Sequence, residues 1–338
     1  MMLRRASLLL AAMLLLGGCD TVQSTTGSDG VQSGLFSGLF WVFLAVTTIV
    51  YLVVLAFLLA AIFRRRGSRQ DGLPDEEGES RDGPLRTVLT GWVAVIALIL
   101  AGLTLASWFA DRRLGVAAAA PALDVEIVAN QWWWDVRYMS EDPSQVIRTA
   151  NELHLPVGVP VRITLKSNDV IHSFWVPNLA GKQDLIPGRI NDIVIRPLRE
   201  GVYRGQCAEF CGLQHAHMAL DVTVESPAEF ARWQQRQGDL PPQPATRLAQ
   251  AGYNYVTSRE CASCHNIAGT PASGQVAPDL SHFASRRSIA AGTFPMSRGH
   301  LYAWIADPQS AKPGNNMPYV GLEPDELHAI VAYLETLR

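Results

Sequence analysis

Cysteine is scarce in this chain: there are five in 338 residues, at positions 19, 207, 211, 261 and 264. They fall in three local patterns of covalent or metal chemistry, one around Cys19, one holding Cys207 and Cys211 and one holding Cys261 and Cys264, so none is left over for a structural disulfide. Charge of one sign is lacking too. The formal net charge is only −3, which argues against a nucleic-acid partner and leaves docking to local patches. What the chain has in quantity is apolar residues in blocks, and its length exceeds that of one ordinary domain.

The first block lies in residues 1–18. Arg4 and Arg5 precede an apolar run that ends in Gly17-Gly18-Cys19. A basic start, an apolar core and small residues make a secretory signal. Leu-Gly-Gly-Cys resembles a bacterial lipobox, with Cys19 as the acylated residue, and the polar residues 19–34 read as a tether. The plain alternative is an ordinary signal peptide.

Residues 35–63 and 87–109 are each long enough to span a bilayer, which takes roughly 20 residues. Trp92 and Trp108 mark the two ends of the second block. Arg64, Arg65, Arg66, Arg69, Arg81 and Arg86 lie in or beside the connecting loop, against Arg112 and Arg113 on the far side. The loop is therefore expected on the cytoplasmic side. A hairpin over residues 35–113 puts everything after about residue 114 in an oxidising compartment. Free thiols survive poorly there unless metallated or alkylated. A pair of buried core helices is the competing expectation, disfavoured by the length of the blocks, their flanking charge and their lack of internal charge.

Residues 114–226 change character. Short alternating runs begin at Leu123, Val161, Asn191 and Leu220, with Pro, Gly and Asn between them. They predict an all-β sandwich or barrel. One loop carries Cys207, Cys211, His215 and Met218. Two thiolates, an imidazole and a thioether suit copper, and His172 offers a second imidazole. Zinc is the alternative, but methionine is a poor zinc ligand.

The segment Gly205-Gln-Cys-Ala-Glu-Phe-Cys-Gly-Leu-Gln-His-Ala-His-Met218 resembles the copper A motif of cytochrome c oxidase subunit II. The runs from Asp169 to Pro177 and Lys182 to Arg189, and Gln131-Trp132-Trp133-Trp134, resemble the family's other hallmark segments. The resemblance covers residues 30–225. It implies a cupredoxin-like Greek-key sandwich holding dinuclear copper. The ligands it implies are His172, Cys207, Cys211, His215, Met218 and the carbonyl of Glu209. The Glu209 carboxylate would reach a magnesium shared with subunit I, and Trp132 would be where an electron arrives. His217 is expected at the surface, because the spacing after Cys211 selects His215.

Residues 227–245 begin with a helix capped at Ser226, then turn Pro-rich, as a linker does. Cys261-Ala-Ser-Cys264-His265 follows, which in an exported protein is a haem c attachment signature. A thioredoxin-like redox pair is the alternative, but a βαβ pattern is missing. Residues 246–338 resemble an all-α class I cytochrome c. His265 and Met317 are the expected axial ligands, with Met296 as a weaker candidate. Pro278 is expected beside the proximal ligand. His282, His300 and His328 are expected as surface or packing residues.

The whole resembles subunit II of a caa-type oxidase, fused to its own cytochrome c domain. That implies a bacterial inner-membrane protein partnered by subunits I and III, with cytochrome c or another high-potential donor. The resemblance also implies that oxygen is reduced in subunit I and not here. One departure stands out: Leu89 occupies the position, three before Trp92, where many members carry a glutamate, and the proline usual after that tryptophan is missing. No proton role is therefore assigned to this subunit. A copper A nitric oxide reductase subunit and a free-standing membrane electron carrier are the rival classes. A quinol oxidase subunit is disfavoured, since that branch lacks the copper ligands.

Overall fold

The computed structural model describes residues 22–66, 82–117 and 121–338. The signal segment with Cys19, and the loop positions Arg69 and Arg81, lie outside the described residues. The chain forms two units, one of Leu35–Val116 and one that joins Ala117–Arg338 to the residues before position 35.

The first unit is built on two long helices, α1 (Val31–Arg66) and α2 (Asp82–Ala117). The stretches Val31–Arg64 and Arg86–Leu114 are long and apolar enough to cross a membrane. Both helices run past the apolar blocks expected from the sequence, α1 taking in Arg64 to Arg66 and α2 taking in Arg86, Arg112 and Arg113. Thr47, Thr104 and Ser107 return their hydroxyls to carbonyls one turn back, at 2.8, 2.8 and 3.0 Å. A hydroxyl so bonded needs no water partner.

The second unit opens with residues 22–34 laid along the β domain. Val22 accepts from Arg204 N (2.8 Å), and Asp29 N donates to Asn178 O (3.1 Å). Asp29 is itself buried against Arg199 and the Asn178 amide. The part of the expected tether that is described is thus fixed by polar side chains suited to such bonds.

Ten strands follow: β1 (Leu123–Asn130), β2 (Trp133–Tyr138), β3 (Ile147–Ala150), β4 (Glu152–Pro156), β5 (Val161–Ser167), β6 (His172–Phe174), β7 (Gln183–Leu185), β8 (Asn191–Ile195), β9 (Gly201–Gln206) and β10 (Ala219–Glu225). One sheet runs β3-β2-β1-β5-β8, a second β4-β10-β9, and β6 pairs with β7. The β1–β5 and β4–β10 pairs are parallel and the other pairs antiparallel. Ile127, Val136, Ile163, Leu165, Leu153 and Val222 alternate inward and are fully buried between the sheets. Cys207, Cys211, Met218, Trp132 and Trp134 belong to this same core, so the candidate metal loop is packed rather than hung at the surface.

Helix α3 (Pro227–Gly238) starts where Ser226 Oγ accepts from Glu229 N (3.3 Å). Its buried Trp233 stacks on His154 at 4.3 Å between ring centres and meets Tyr138 edge-on at 4.8 Å. The parallel β4–β10 pairing brings His154 to Glu225 (2.9 Å), and Glu152, two residues earlier on β4, lies 3.8 Å away. Burial alone would lower the His154 pKa, but these two carboxylates outweigh it and raise it to about 9.

The rest is helical: α4 (Arg247–Ser258), α5 (Glu260–Cys264), α6 (Arg298–Ala306), α7 (Pro308–Ala311) and α8 (Pro324–Leu334). A two-residue ladder joins Ser288–Ile289 to Phe294–Pro295 between α5 and α6. Helices α4 and α8 cross so closely at Gly252 that a Cβ there would lie 2.0 Å from Ala329 O. The Pro-rich linker is laid against this domain, with Leu240 over Gly269.

Two outcomes follow from this packing. Gly252→Val should block the α4–α8 crossing and abolish covalent haem incorporation, read as haem content per purified chain. His154 has a folded pKa above its unfolded one, so its contribution is complete below about pH 6.5 and is lost as pH rises through about 9. The gap in melting temperature between wild type and His154→Gln should therefore shrink between pH 6 and 10.

Candidate metal centre and haem pocket

The metal-binding loop runs from the end of β9 to the start of β10. Cys207 N donates to Met218 O (3.1 Å), which closes the loop at its base. Both thiols are buried, their sulfurs 3.7 Å apart. His172 Nδ1 lies 3.9 Å from Cys207 Sγ, and His215 Nδ1 lies 3.5 Å from Cys211 Sγ. Met218 Sδ is 3.9 Å from Cys211 Sγ, and the Glu209 carbonyl is 3.2 Å from Cys207 Sγ. Two sulfurs at the centre with an imidazole on each side is a donor set for a soft metal pair. His172, Cys207 and Cys211 alone bring their ligand atoms within 4.8 Å of one another. The residues therefore fit dinuclear copper. The Glu209 side chain is exposed.

The hydrogen bond between the two sulfurs, helped by His172, pulls Cys207 toward thiolate, while the same bond, together with burial and the charge beside it, pushes Cys211 up. His217 points outward and bonds Gln214 Oε1 (2.8 Å), which leaves His215 as the imidazole at the sulfurs.

Two residues named in the hallmark segments without a role support this site. Asp169 Oδ1 holds His172 Nε2 at 2.8 Å, and its other oxygen accepts from Gln131 N at 2.6 Å. The His172 ring is thereby turned with Nδ1 toward Cys207, as a carboxylate behind a ligating histidine does. Burial opposes protonation of His172, yet the bonds to Asp169 and Cys207 raise its pKa overall. Gln131 Nε2 also donates to Cys211 O (2.7 Å). An Asp three residues before a histidine that opens a strand was the signal available.

The second centre is a cavity of about 410 Å³ in the helical domain. Cys261, Cys264, His265 and Met317 line it. His265 Nδ1 donates to Pro278 O at 2.7 Å, which leaves Nε2 to face a metal. Burial lowers the His265 pKa and favours the neutral ligating form. Met317 has its backbone held by Asn315 Oδ1 (2.7 Å) and Gln309 Nε2 (2.8 Å). Met296 instead packs against the domain's core. The cavity and its four residues fit a covalently attached haem. His282 is buried as packing, His300 half-buried against Phe294, and His328 exposed. Arg286 also lines the cavity, buried between Asp279 O (2.5 Å) and Glu152 of the β domain (3.6 Å).

Trp132 belongs to both centres. It lines the cavity, and its indole N–H donates to Cys211 O at 2.9 Å. Trp134 is buried in the sandwich.

Residues 123–225 match the family described as cytochrome C oxidase subunit II, periplasmic domain, and residues 249–338 match the family described as cytochrome c. Cytochrome c oxidase subunit 2 of Alkalihalophilus pseudofirmus is 29% identical over 330 residues, covering 96% of this chain and 94% of the relative. The protein of the same name from Bacillus subtilis is 32% identical over 257 residues, with 73% and 70% covered. That from Bacillus sp. strain PS3 is 31% identical over 293 residues, with 82% and 80% covered.

Asp169→Asn should leave the sulfurs in place but free the His172 ring. Copper retention against a competing chelator should weaken about 10–100-fold, with haem content unchanged.

Proposed function

This chain belongs to the cytochrome c oxidase subunit II family, and on that premise we propose that it is where electrons enter a haem–copper oxidase, first at its own haem domain and then at its copper site. The observation that carries this is the position of Trp132. The residue lines the haem cavity, and its indole N–H is bonded to the carbonyl of a metal-site cysteine.

When bound, haem c and copper A each supply a reversible one-electron redox step. Cys261 and Cys264 would hold the haem by thioether links, with His265 and Met317 on the iron; a methionine ligand favours a high potential. His172, Cys207, Cys211, His215, Met218 and the Glu209 carbonyl would hold the two coppers. The burial of this loop in the sandwich core limits ligand movement, and so the reorganisation that each electron demands. Trp132 would bridge the two centres through Cys211.

The exposed carboxylate of Glu209 would complete a magnesium site with subunit I. Phe210, 76% exposed beside it, suits a face covered by that subunit. Subunit III, a cytochrome c or similar high-potential donor, acylation at Cys19 and an extracytoplasmic location of both redox domains at a bacterial inner membrane complete the proposal. Oxygen would be reduced in subunit I, where proton translocation would also be driven.

The test is oxygen uptake by the complex purified through this chain, with reduced cytochrome c as donor. Uptake should collapse in Cys207→Ser while haem c stays reducible. Consumption of nitric oxide in place of oxygen, or recovery of no partner subunit, would contradict the assignment.

A further inference from the structure

The loop that carries Met317 is held largely by its own bonds. Asp307 Oδ1 accepts from Gln309 N (3.1 Å) and Ser310 N (3.0 Å), and Asn315 Nδ2 donates to Pro308 O (2.9 Å) and Lys312 O (2.6 Å). The Lys312 side chain takes no part in these. It leaves the loop and enters the seam with the β domain, where it is 3% exposed. Its Nζ donates to Trp132 O at 2.8 Å and to Ala290 O at 3.0 Å. Among the described residues no carboxylate pairs with it. Burial lowers its pKa to about 7.

A lysine is rarely buried on carbonyls alone, since its desolvation is poorly offset without an acid. The surroundings have been shaped to accept it. Ala290 and Ala291 sit at φ 54° and 56°, a left-handed conformation unfavourable for residues other than glycine. That turn aims the Ala290 carbonyl at Lys312 and the Ala291 carbonyl at Ala219 N (3.0 Å) at the start of β10. Gly314, at φ +80°, brings the loop down on the copper domain; a Cβ there would stand 3.3 Å from Leu213 and 3.9 Å from the Trp132 ring. Gln214 Nε2 adds a bond to Pro313 O at 2.8 Å.

We propose that Lys312 is a positioning residue for electron transfer: it seats the methionine loop on Trp132 and so fixes the separation of the haem pocket from the copper site. It lines the haem cavity but is not among the residues that would hold either metal. It acts by binding the Trp132 backbone on one side and the haem domain's own turn on the other. The electron lost by ferrous haem c is the one gained by oxidised copper A, and tunnelling between them falls steeply with distance. A loosened seat therefore slows the step without changing either centre. This rests on Trp132 being the bridge proposed above.

The experiment uses the purified oxidase complex carrying Lys312→Met, Lys312→Arg or Trp132→Phe. Haem c is reduced by a light-driven reductant, and its oxidation is followed together with reduction of copper A. Hydrogen exchange of the peptide containing residues 131–134 is measured on the same samples. Lys312→Met should slow the transfer and speed exchange at 131–134. The methionine–iron absorption band, the haem potential and the copper spectrum should stay as in wild type. Lys312→Arg should recover part of the rate. Wild-type transfer and exchange in Lys312→Met would overturn the proposal. Loss of the methionine–iron band would overturn it too, by assigning Lys312 to the fold of its own loop. A wild-type rate in Trp132→Phe would refute the bridge, and exchange in Lys312→Met would then still decide whether the lysine forms the seat.

Discussion

The hydrogen bond from the Trp132 indole to the Cys211 carbonyl is the contact on which the rest of this architecture depends. It joins the wall of one candidate cofactor site to a ligand of the other. For that bond to hold, the metal loop must be rigid, and burial of Cys207, Cys211 and Met218 in the sandwich core makes it so. The tryptophan must also be fixed. Asp169 secures the backbone just before it while orienting His172 from its other oxygen. One carboxylate thus sets both the geometry of the metal site and the position of the ring beside it.

The same constraint explains the polar character of the seam between the two domains. An apolar seam would hold the domains together but tolerate sliding. Directional bonds do not. Arg286 reaches from the haem cavity to Glu152 and Thr149, and Ser288 bonds Asp221. Arg148 bonds Gln275 from the opposite side. The left-handed alanines 290 and 291 carry backbone cost, a pattern tolerated where the surrounding structure over-determines it.

What could be read in the sequence was whatever local chemistry dictates. Cys-x3-Cys-x3-His-x2-Met and Cys-x-x-Cys-His put fixed residue types at fixed spacing, and the cavity and loop bring those residues together. Strands β1, β5, β8 and β10 showed as alternating runs. Strand β2 did not, because three consecutive tryptophans conceal the period of two. Strand β9 did not, because Gly201 and Gly205 interrupt it. The supporting residues were harder for a different reason. Lys312 bonds carbonyls from positions distant in sequence, and any residue type supplies a carbonyl. Asp169 was quoted in a motif without a role, since an acid three residues before a histidine is common. Residues 22–34 read as a tether because Ser, Thr, Asp and Gly suit a solvated chain as well as a docked one.

The central claim is that the haem and copper domains act as one docked body and do not meet by diffusion on a tether. The most direct test is the rate of transfer from haem c to copper A, measured after flash reduction at increasing glycerol concentration. A docked pair predicts one exponential phase whose rate does not change with viscosity. A rate that falls in proportion to viscosity would show that the domains must find each other before each transfer, and would contradict the account.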